Sequence, residues 1–146
     1  MQDALPDVNV WLAMAWRNHA FHKAAKKWFH GFEGVCCFCR VTQMGFLRLT
    51  TNRKILGGNV LTQAEAWLAY RRLLGDPHVV FREEPASVET EWQTLSSRAD
   101  PASKRWTDDY LAAFASVAGL RLVTFDQGFS DYPGIASLIL SPPSPS

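Results

Sequence analysis

Short apolar runs alternate along this chain with longer stretches in which apolar residues recur at helical spacing. The runs typical of strands are a short apolar start that ends before Asp7, followed by residues 35–38, 78–81, 121–125 and 137–140. Helical spacing is found in residues 8–16, 19–32, 42–49 and 62–74, from Pro85 onward, and in 107–117. Strands that alternate with helices predict an α/β fold with a three-layer α/β/α arrangement, in which helices cover both faces of a central, mostly parallel sheet.

Local signals predict where several helices begin and end. Thr62 and Glu65 have the spacing of a capping box, which indicates a helix beginning after Thr62. Pro85 is predicted at the first position of the next helix, where its missing amide hydrogen is not needed. Thr107 is predicted to cap the last long helix, and Gly119 is predicted to end it.

Length and composition are those of a single globular domain. The chain has 146 residues, of which 47% are hydrophobic, enough for one core and too few for two ordinary domains. We expect the domain to span residues 1–140 and the Pro/Ser-rich segment 141–146 to be a flexible tail. The formal net charge is +1, so any contact with nucleic acid is expected to be local.

The cysteines and the start of the chain bear on the compartment. Cys36, Cys37 and Cys39 lie in an apolar run, and we interpret them as small core residues. The alternative is a zinc site to which nearby histidines would add nitrogen ligands. Asp3 and Asp7 stand where a secretory signal carries Lys or Arg, and no apolar run approaches bilayer length. The sequence therefore predicts a cytoplasmic protein that does not enter a membrane.

Three aspartates carry the candidate chemistry. Asp7 and Asp126 each follow a predicted strand, and Asp108 lies in the first turn of a predicted helix. Ligands of parallel sheets gather at the carboxyl ends of the strands, and a helix N-terminus favours negative charge. Convergent carboxylates suit Mg²⁺ or Mn²⁺, and pairs of such ions hydrolyse phosphodiesters. Taken singly, each aspartate is explained more simply as a cap or turn residue.

Four segments give these aspartates a context. They read LPDVNVWLA at 5–13, TQMGFLRL at 42–49 with Thr51 and Asn52 following, WTDDYLAAFA at 106–115, and LVTFDQGF at 122–129. In wording, order and spacing they resemble the motifs of the PIN-domain toxins of the VapC type. The resemblance implies a PIN-like fold and a metal-dependent endoribonuclease, the toxin of a toxin–antitoxin pair. It also implies Mg²⁺ or Mn²⁺ as the cofactor and tRNA, rRNA or mRNA as the substrate.

The resemblance assigns roles to individual positions. It implies that Asp7, Asp108 and Asp126 are the catalytic metal ligands. It implies that Asn9 and Thr124 orient carboxylates or water as accessory residues. Water activated by the metal would attack the phosphodiester in line and leave a 3′-hydroxyl and a 5′-phosphate.

Two further positions complicate the pattern. Gln43 stands where the second motif usually has a glutamate, and an amide oxygen coordinates a cation without adding charge. One metal site is therefore expected to be weaker. Asp109 follows Asp108 about 100° around the same helix and is predicted as an accessory residue. Glu65 is an alternative source of the missing carboxylate, although its capping role already explains it.

The substitution at Gln43 leaves a second function open. A PIN-like module that has lost efficient catalysis would act by binding RNA or a protein. A third interpretation, a nucleotide-binding α/β protein, is disfavoured because no glycine-rich loop follows the first predicted strand.

Local cations are the candidate contacts for RNA phosphates. They are Arg48, Arg53, Lys54, Lys104 and Arg105, all but the first predicted in loops. The resemblance also implies a cognate, VapB-like antitoxin that covers the acidic site with an Arg or Lys, and a homodimer.

Overall fold

The computed structural model describes residues 2–141. The strands are β1 (Ala4–Pro6), β2 (Cys36–Phe38), β3 (Val79–Phe81), β4 (Arg121–Thr124) and β5 (Ser137–Ile139). The helices are α1 (Val8–Ala15), α2 (His22–Gly31), α3 (Arg40–Thr50), α4 (Arg53–Leu56), α5 (Gln63–Leu74), α6 (Val88–Ser96) and α7 (Trp106–Ala118). Short 3-10 turns lie at Gly57–Asn59 and Gln127–Asp131. Apart from Ser141, the predicted tail lies outside the described residues.

The five strands form one sheet in the order β3-β2-β1-β4-β5, and every pair is parallel. Pro6 of the central strand β1 is aligned with Val123 of β4. The next amide, that of Asp7, donates to the Val123 carbonyl at 2.8 Å. Because parallel strands share the direction of their ends, Asp7 and Thr124 come to lie at the same edge of the sheet. The α/β prediction is confirmed.

A hydrophobic core lies on each face of the sheet. On one face, Leu5 and Cys37 pack with residues of α6 and α7. On the other, Ala4, Cys36 and Phe38 pack with residues of α1, α2, α3 and α5. This alternation is what a strand with both faces buried requires, and it confirms the three layers. All three cysteines are buried members of these two cores, which confirms their interpretation as core residues.

Some helix ends agree with the sequence signals. The Glu65 amide donates to the Thr62 hydroxyl at 3.1 Å, and the Thr62 amide donates to the Glu65 carboxylate at 2.9 Å, so the capping box is present. Gly119 ends α7 with a φ of 69°, a left-handed conformation that glycine adopts without strain. No helix within residues 2–141 is both long and apolar enough to span a bilayer.

Other helix ends differ from the predictions. Pro85 lies in a turn before α6, since the Val88 amide donates to its carbonyl, and α6 begins only at Val88. Thr107 does not cap α7, because the Asp109 amide donates to the Arg105 carbonyl and the helix already begins at Trp106. The start of α2 lies three residues later than predicted.

The segment that carries two of the predicted RNA contacts is also more ordered than expected. Arg53 and Lys54 form the start of α4 and do not lie in a loop. The side chain of Asn52 caps this helix by accepting a hydrogen bond from the Lys54 amide at 2.9 Å. Asn is a common N-cap, so the signal was present in the sequence.

Candidate active site

Asp7 is fixed at the junction of β1 and α1. One of its carboxylate oxygens accepts from the Val8 amide at 2.6 Å, and the other accepts from the Thr124 hydroxyl at 3.1 Å. The side chain is 7% exposed. Burial raises the pKa of Asp7, the charge of Asp126 raises it further, and the two hydrogen bonds oppose both effects.

Thr124 connects two of the three predicted metal ligands. It is fully buried at the end of β4, where its hydroxyl donates to Asp7. The same hydroxyl oxygen accepts from the Asp126 amide at 3.0 Å. Asp126 is exposed and begins a 3-10 turn, with a carboxylate oxygen that accepts from the Gly128 amide at 2.8 Å. One buried hydroxyl therefore holds the Asp7 carboxylate and the backbone of Asp126 in register.

Asp108 brings a third carboxylate to this edge from the first turn of α7. Burial, together with the nearby charges of Asp7 and Asp126, raises the pKa of Asp108 to about 6, and Arg105 opposes this shift. The three carboxylates therefore lie close enough to repel one another. Such a cluster is disfavoured when fully ionised until cations neutralise it.

The donor set suits a hard divalent cation, since it consists of carboxylate oxygens. In residues 2–141, however, no three acidic, histidine or cysteine side chains are grouped tightly enough to surround one ion. Asp108 and Asp126 are more exposed than Asp7. These two side chains are therefore less restrained by packing than that of Asp7.

Asp109 has a different role from its neighbour. Its side chain is 1% exposed and accepts two hydrogen bonds from Arg98, each of 2.7 Å. The Tyr132 hydroxyl donates to the same carboxylate. Burial would raise the pKa of Asp109, but these donors outweigh it and hold the pKa below its usual value. The accessory role predicted for Asp109 is therefore replaced by a buried ion pair.

Gln43 is likewise engaged with side chains other than the three aspartates. Its side chain is buried, accepts from the Arg40 guanidinium at 2.5 Å, and lies beside Tyr70 of α5. The face of α3 toward Asp7 carries Gly45 instead, about 200° further around the helix. A Cβ on Gly45 would lie 2.9 Å from Val8 Cγ2, so the two helices approach closely here. The structure thus does not bring Gln43 into the acidic site.

Of the two remaining candidate positions, Asn9 and Glu65, one lies near Asp7 and the other is bonded elsewhere. Asn9 is exposed in the first turn of α1, two residues after Asp7. Glu65 is exposed and bonded to Thr62 at the start of α5, so its capping role accounts for it. Asn9 stays adjacent to the site, whereas Glu65 is engaged elsewhere.

Two of the five predicted RNA contacts lie beside the acidic site. Arg48 is exposed and lines a cavity of about 370 Å³ together with Asp7, Gly45 and Thr107. Arg105 lies near enough to Asp108 for its charge to act on that carboxyl. The other three cations, Arg53, Lys54 and Lys104, are exposed.

Sequence reasoning missed the residues that support this site. Arg98 and Tyr132 hold Asp109, and the Arg105 guanidinium lies 5.3 Å from the centre of the Tyr132 ring. The available signal was the pair of adjacent aspartates at the start of one helix. Only one of the two can face the acidic site, so the other must have a different partner. Their partners come from an irregular segment and from the residue that follows a 3-10 turn, and neither leaves a periodic pattern in the sequence.

Comparison with known proteins supplies the family. The PIN domain pattern matches residues 4–135. The chain belongs to the PIN-domain family. It is 43% identical over 143 residues to Ribonuclease VapC41 of Mycobacterium tuberculosis, an alignment that covers 94% of this chain and 98% of that protein.

Solved structures show the same PIN fold. The M. tuberculosis toxin VapC20, described as cleaving the sarcin-ricin loop, superposes with a TM-score of 0.69 at 20% identity and covers 93% of this chain and 98% of its own. A chain of the DNA-bound VapBC complex from Salmonella typhimurium superposes with a TM-score of 0.65 at 14% identity, covering 95% and 98% of the two chains. At these identities, the likeness concerns the fold alone.

Proposed function

We propose that this PIN-domain protein is a metal-dependent endoribonuclease and the toxin of a toxin–antitoxin pair. The observation that carries the proposal is the approach of Asp7, Asp108 and Asp126 at one sheet edge. Its context is a chain 43% identical to a ribonuclease over nearly its whole length. Structured RNA is the proposed substrate, the cytoplasm the proposed location, and residues 1–140 the proposed extent of the domain.

The three aspartates are the proposed ligands of Mg²⁺ or Mn²⁺. When bound, such an ion supplies positive charge that activates water and stabilises the leaving oxygen. Asp7 is the anchor, since Val8 and Thr124 fix both of its oxygens. Thr124 is a positioning residue that sets the separation of Asp7 from Asp126. The chain thus presents one buried and two more exposed carboxylates to the ion.

The cations beside the cluster are the proposed contacts to the RNA backbone. Arg48 lines the same cavity as Asp7, so its guanidinium can hold phosphate oxygens next to the carboxylates. Arg105 is the corresponding cation beside Asp108. Lys104, Arg53 and Lys54 extend the exposed positive surface and are proposed as weaker, screened contacts.

The proposed protein partner is a VapB-like antitoxin. The occurrence of this fold in VapBC complexes supports the proposal. An antitoxin Arg or Lys placed over the acidic cluster would relieve the repulsion among the aspartates without cleavage. We also propose a homodimer, which sedimentation analysis of the purified chain would detect.

The weakened binding module is the less supported alternative. It depended on Gln43 occupying a ligand position, and Gln43 contacts Arg40 instead. The three aspartates, by contrast, lie near enough for the charges of Asp7 and Asp126 to act on Asp108, which supports the nuclease.

The test is cleavage of a mixed pool of structured RNA by the purified protein with Mg²⁺ or Mn²⁺. Cleavage is expected to disappear with EDTA and in the double variant Asp7→Asn/Asp126→Asn. It is expected to persist in the matched control Asp100→Asn, which changes an exposed aspartate in the loop before α7. End-group analysis should show 3′-hydroxyl and 5′-phosphate ends. RNA bound without being cleaved would favour the binding module, and a cyclic phosphate would contradict the proposed chemistry.

A further inference from the structure

A second cavity, of about 480 Å³, lies directly beside the acidic site. It shares two lining residues, Val41 and Thr107, with the cavity that contains Asp7. Thr107 directly precedes Asp108 in the first turn of α7, so the two cavities meet next to Asp108. A molecule held at the carboxylates therefore has direct access to the second cavity.

Aromatic rings form one wall of this cavity. Trp106 and Tyr110 lie one helical turn apart on α7, and Trp92 of α6 lies between them. The Trp92 ring is nearly perpendicular to both, at 83° to Trp106 and 86° to Tyr110. The rings are therefore not stacked on one another. Trp106 is 53% exposed, unusual for so large an apolar side chain.

Charged groups of both signs complete the cavity. Glu84 is exposed and accepts a hydrogen bond from the Tyr110 hydroxyl at 2.5 Å. The Arg40 guanidinium is held by Gln43 and lies 4.7 Å from the centre of the Phe81 ring. The cavity thus offers a carboxylate acceptor and a guanidinium donor in fixed positions beside aromatic surface.

We propose that this cavity binds a nucleobase of the RNA, next to the phosphodiester held at Asp7, Asp108 and Asp126. The inference rests on the proposed ribonuclease function. Proteins recognise unpaired bases by stacking them on aromatic rings and bonding their edges, which carry both donors and acceptors. Trp106 supplies the stacking surface, and Arg40 and Glu84 supply the complementary polar groups. The volume is within the range of small-ligand sites.

The test measures binding of fluorescein-labelled tetraribonucleotides of A, C, G and U in Mg²⁺ by anisotropy. All proteins carry Asp126→Asn so that the RNA stays intact. Adding Trp106→Ala is expected to weaken the tightest complex by about 5- to 150-fold, the usual effect of losing one base–aromatic stack. Trp106→Phe should retain part of the affinity. The matched control, Trp67→Ala, removes an exposed tryptophan of α5 that does not line the cavity and should leave binding unchanged.

An abasic substitution makes the test specific for a base. The reference protein carries Asp126→Asn alone. When one abasic nucleotide is moved along the RNA, one position should weaken binding to the reference protein but should not further weaken binding to the protein that also carries Trp106→Ala. Melting curves check that both Trp106 variants are folded. If the tetraribonucleotides bind with equal affinity with and without Trp106, the proposed base pocket is wrong. This holds even if Trp106→Ala weakens the binding of a protein partner. If the wild type cleaves the RNA pool but the reference protein binds no tetranucleotide, the pocket fails and the proposed function stands. A wild type that cleaves no RNA removes both.

Discussion

Replacing Asp108 by Asn is expected to stabilise the metal-free protein at neutral pH. Burial and the charges of Asp7 and Asp126 raise the pKa of Asp108 from its ordinary 3.8 to about 6. The folded protein therefore binds this proton more tightly than the unfolded chain does, and ionisation favours unfolding. The penalty is absent below about pH 4, grows between about pH 4 and pH 6, and is complete above that range.

The size of this effect follows from the same values. The interval from 3.8 to about 6 corresponds to about 3 kcal/mol, at roughly 1.4 kcal/mol for each pH unit. Because Asp108 is only part-buried, screening by solvent reduces the destabilisation caused by its ionisation to about 1 to 1.5 kcal/mol. For a domain of this size, Asp108→Asn should raise Tm by roughly 3 to 6 °C.

Melting curves in EDTA at about pH 7.5 and about pH 4.5 measure this difference. The gain should shrink at the lower pH, and Asp100→Asn should show no comparable gain. Mg²⁺ should reverse the order, because a ligand at about 100 times its Kd stabilises the wild type by about 2.7 kcal/mol, whereas the variant lacks one carboxylate and binds the ion less well. If Asp108→Asn melts below the wild type in EDTA at about pH 7.5, repulsion among the aspartates does not govern this site.

Three other substitutions test the surroundings of the cluster. Thr124→Val should lower the free energy of unfolding, measured by urea denaturation, by about 1 to 3 kcal/mol, and should weaken Mn²⁺ binding, measured by calorimetry. Thr124→Ser should retain both stability and Mn²⁺ binding. Arg98→Ala should lower the free energy of unfolding by leaving the buried Asp109 carboxylate poorly paired, and adding Asp109→Asn should recover part of the loss; an unchanged stability of Arg98→Ala contradicts the ion pair. Gln43→Glu should leave cleavage and Mn²⁺ affinity unchanged, and a gain in either would place residue 43 in the site.

The strands and the sheet edge were predictable because their signals are local. Apolar runs fix each strand, and a parallel sheet must bring the ends of its strands to one edge. The positions of Asp7 and Thr124 follow from that alone. The start of α7 was less predictable, since the bond from the Asp109 amide to Arg105 competes with a cap at Thr107, and either start satisfies the apolar pattern.

Side-chain direction on a helix is what a linear motif does not specify. Gln43 matches the position of a glutamate in the linear motif, but α3 turns it toward Arg40 and Tyr70. Gly45, on the face toward Asp7, closely approaches Val8 of α1, and no local pattern predicts this contact between helices. The cavity of Trp92 and Trp106 was missed for the same reason, because its two walls come from separate helices.

Asp108 and Asp109 illustrate how one short segment can supply both structure and chemistry. Both residues are aspartates, and their side chains leave the helix about 100° apart. Asp109 points inward, where Arg98 and Tyr132 neutralise it and fix the start of α7. Asp108, its neighbour in the chain, lies where the charges of Asp7 and Asp126 act on it. A cation paired directly with Asp108 would relieve the repulsion, but it would also occupy the position proposed for the metal. Placing the ion pair on the neighbouring residue avoids that conflict.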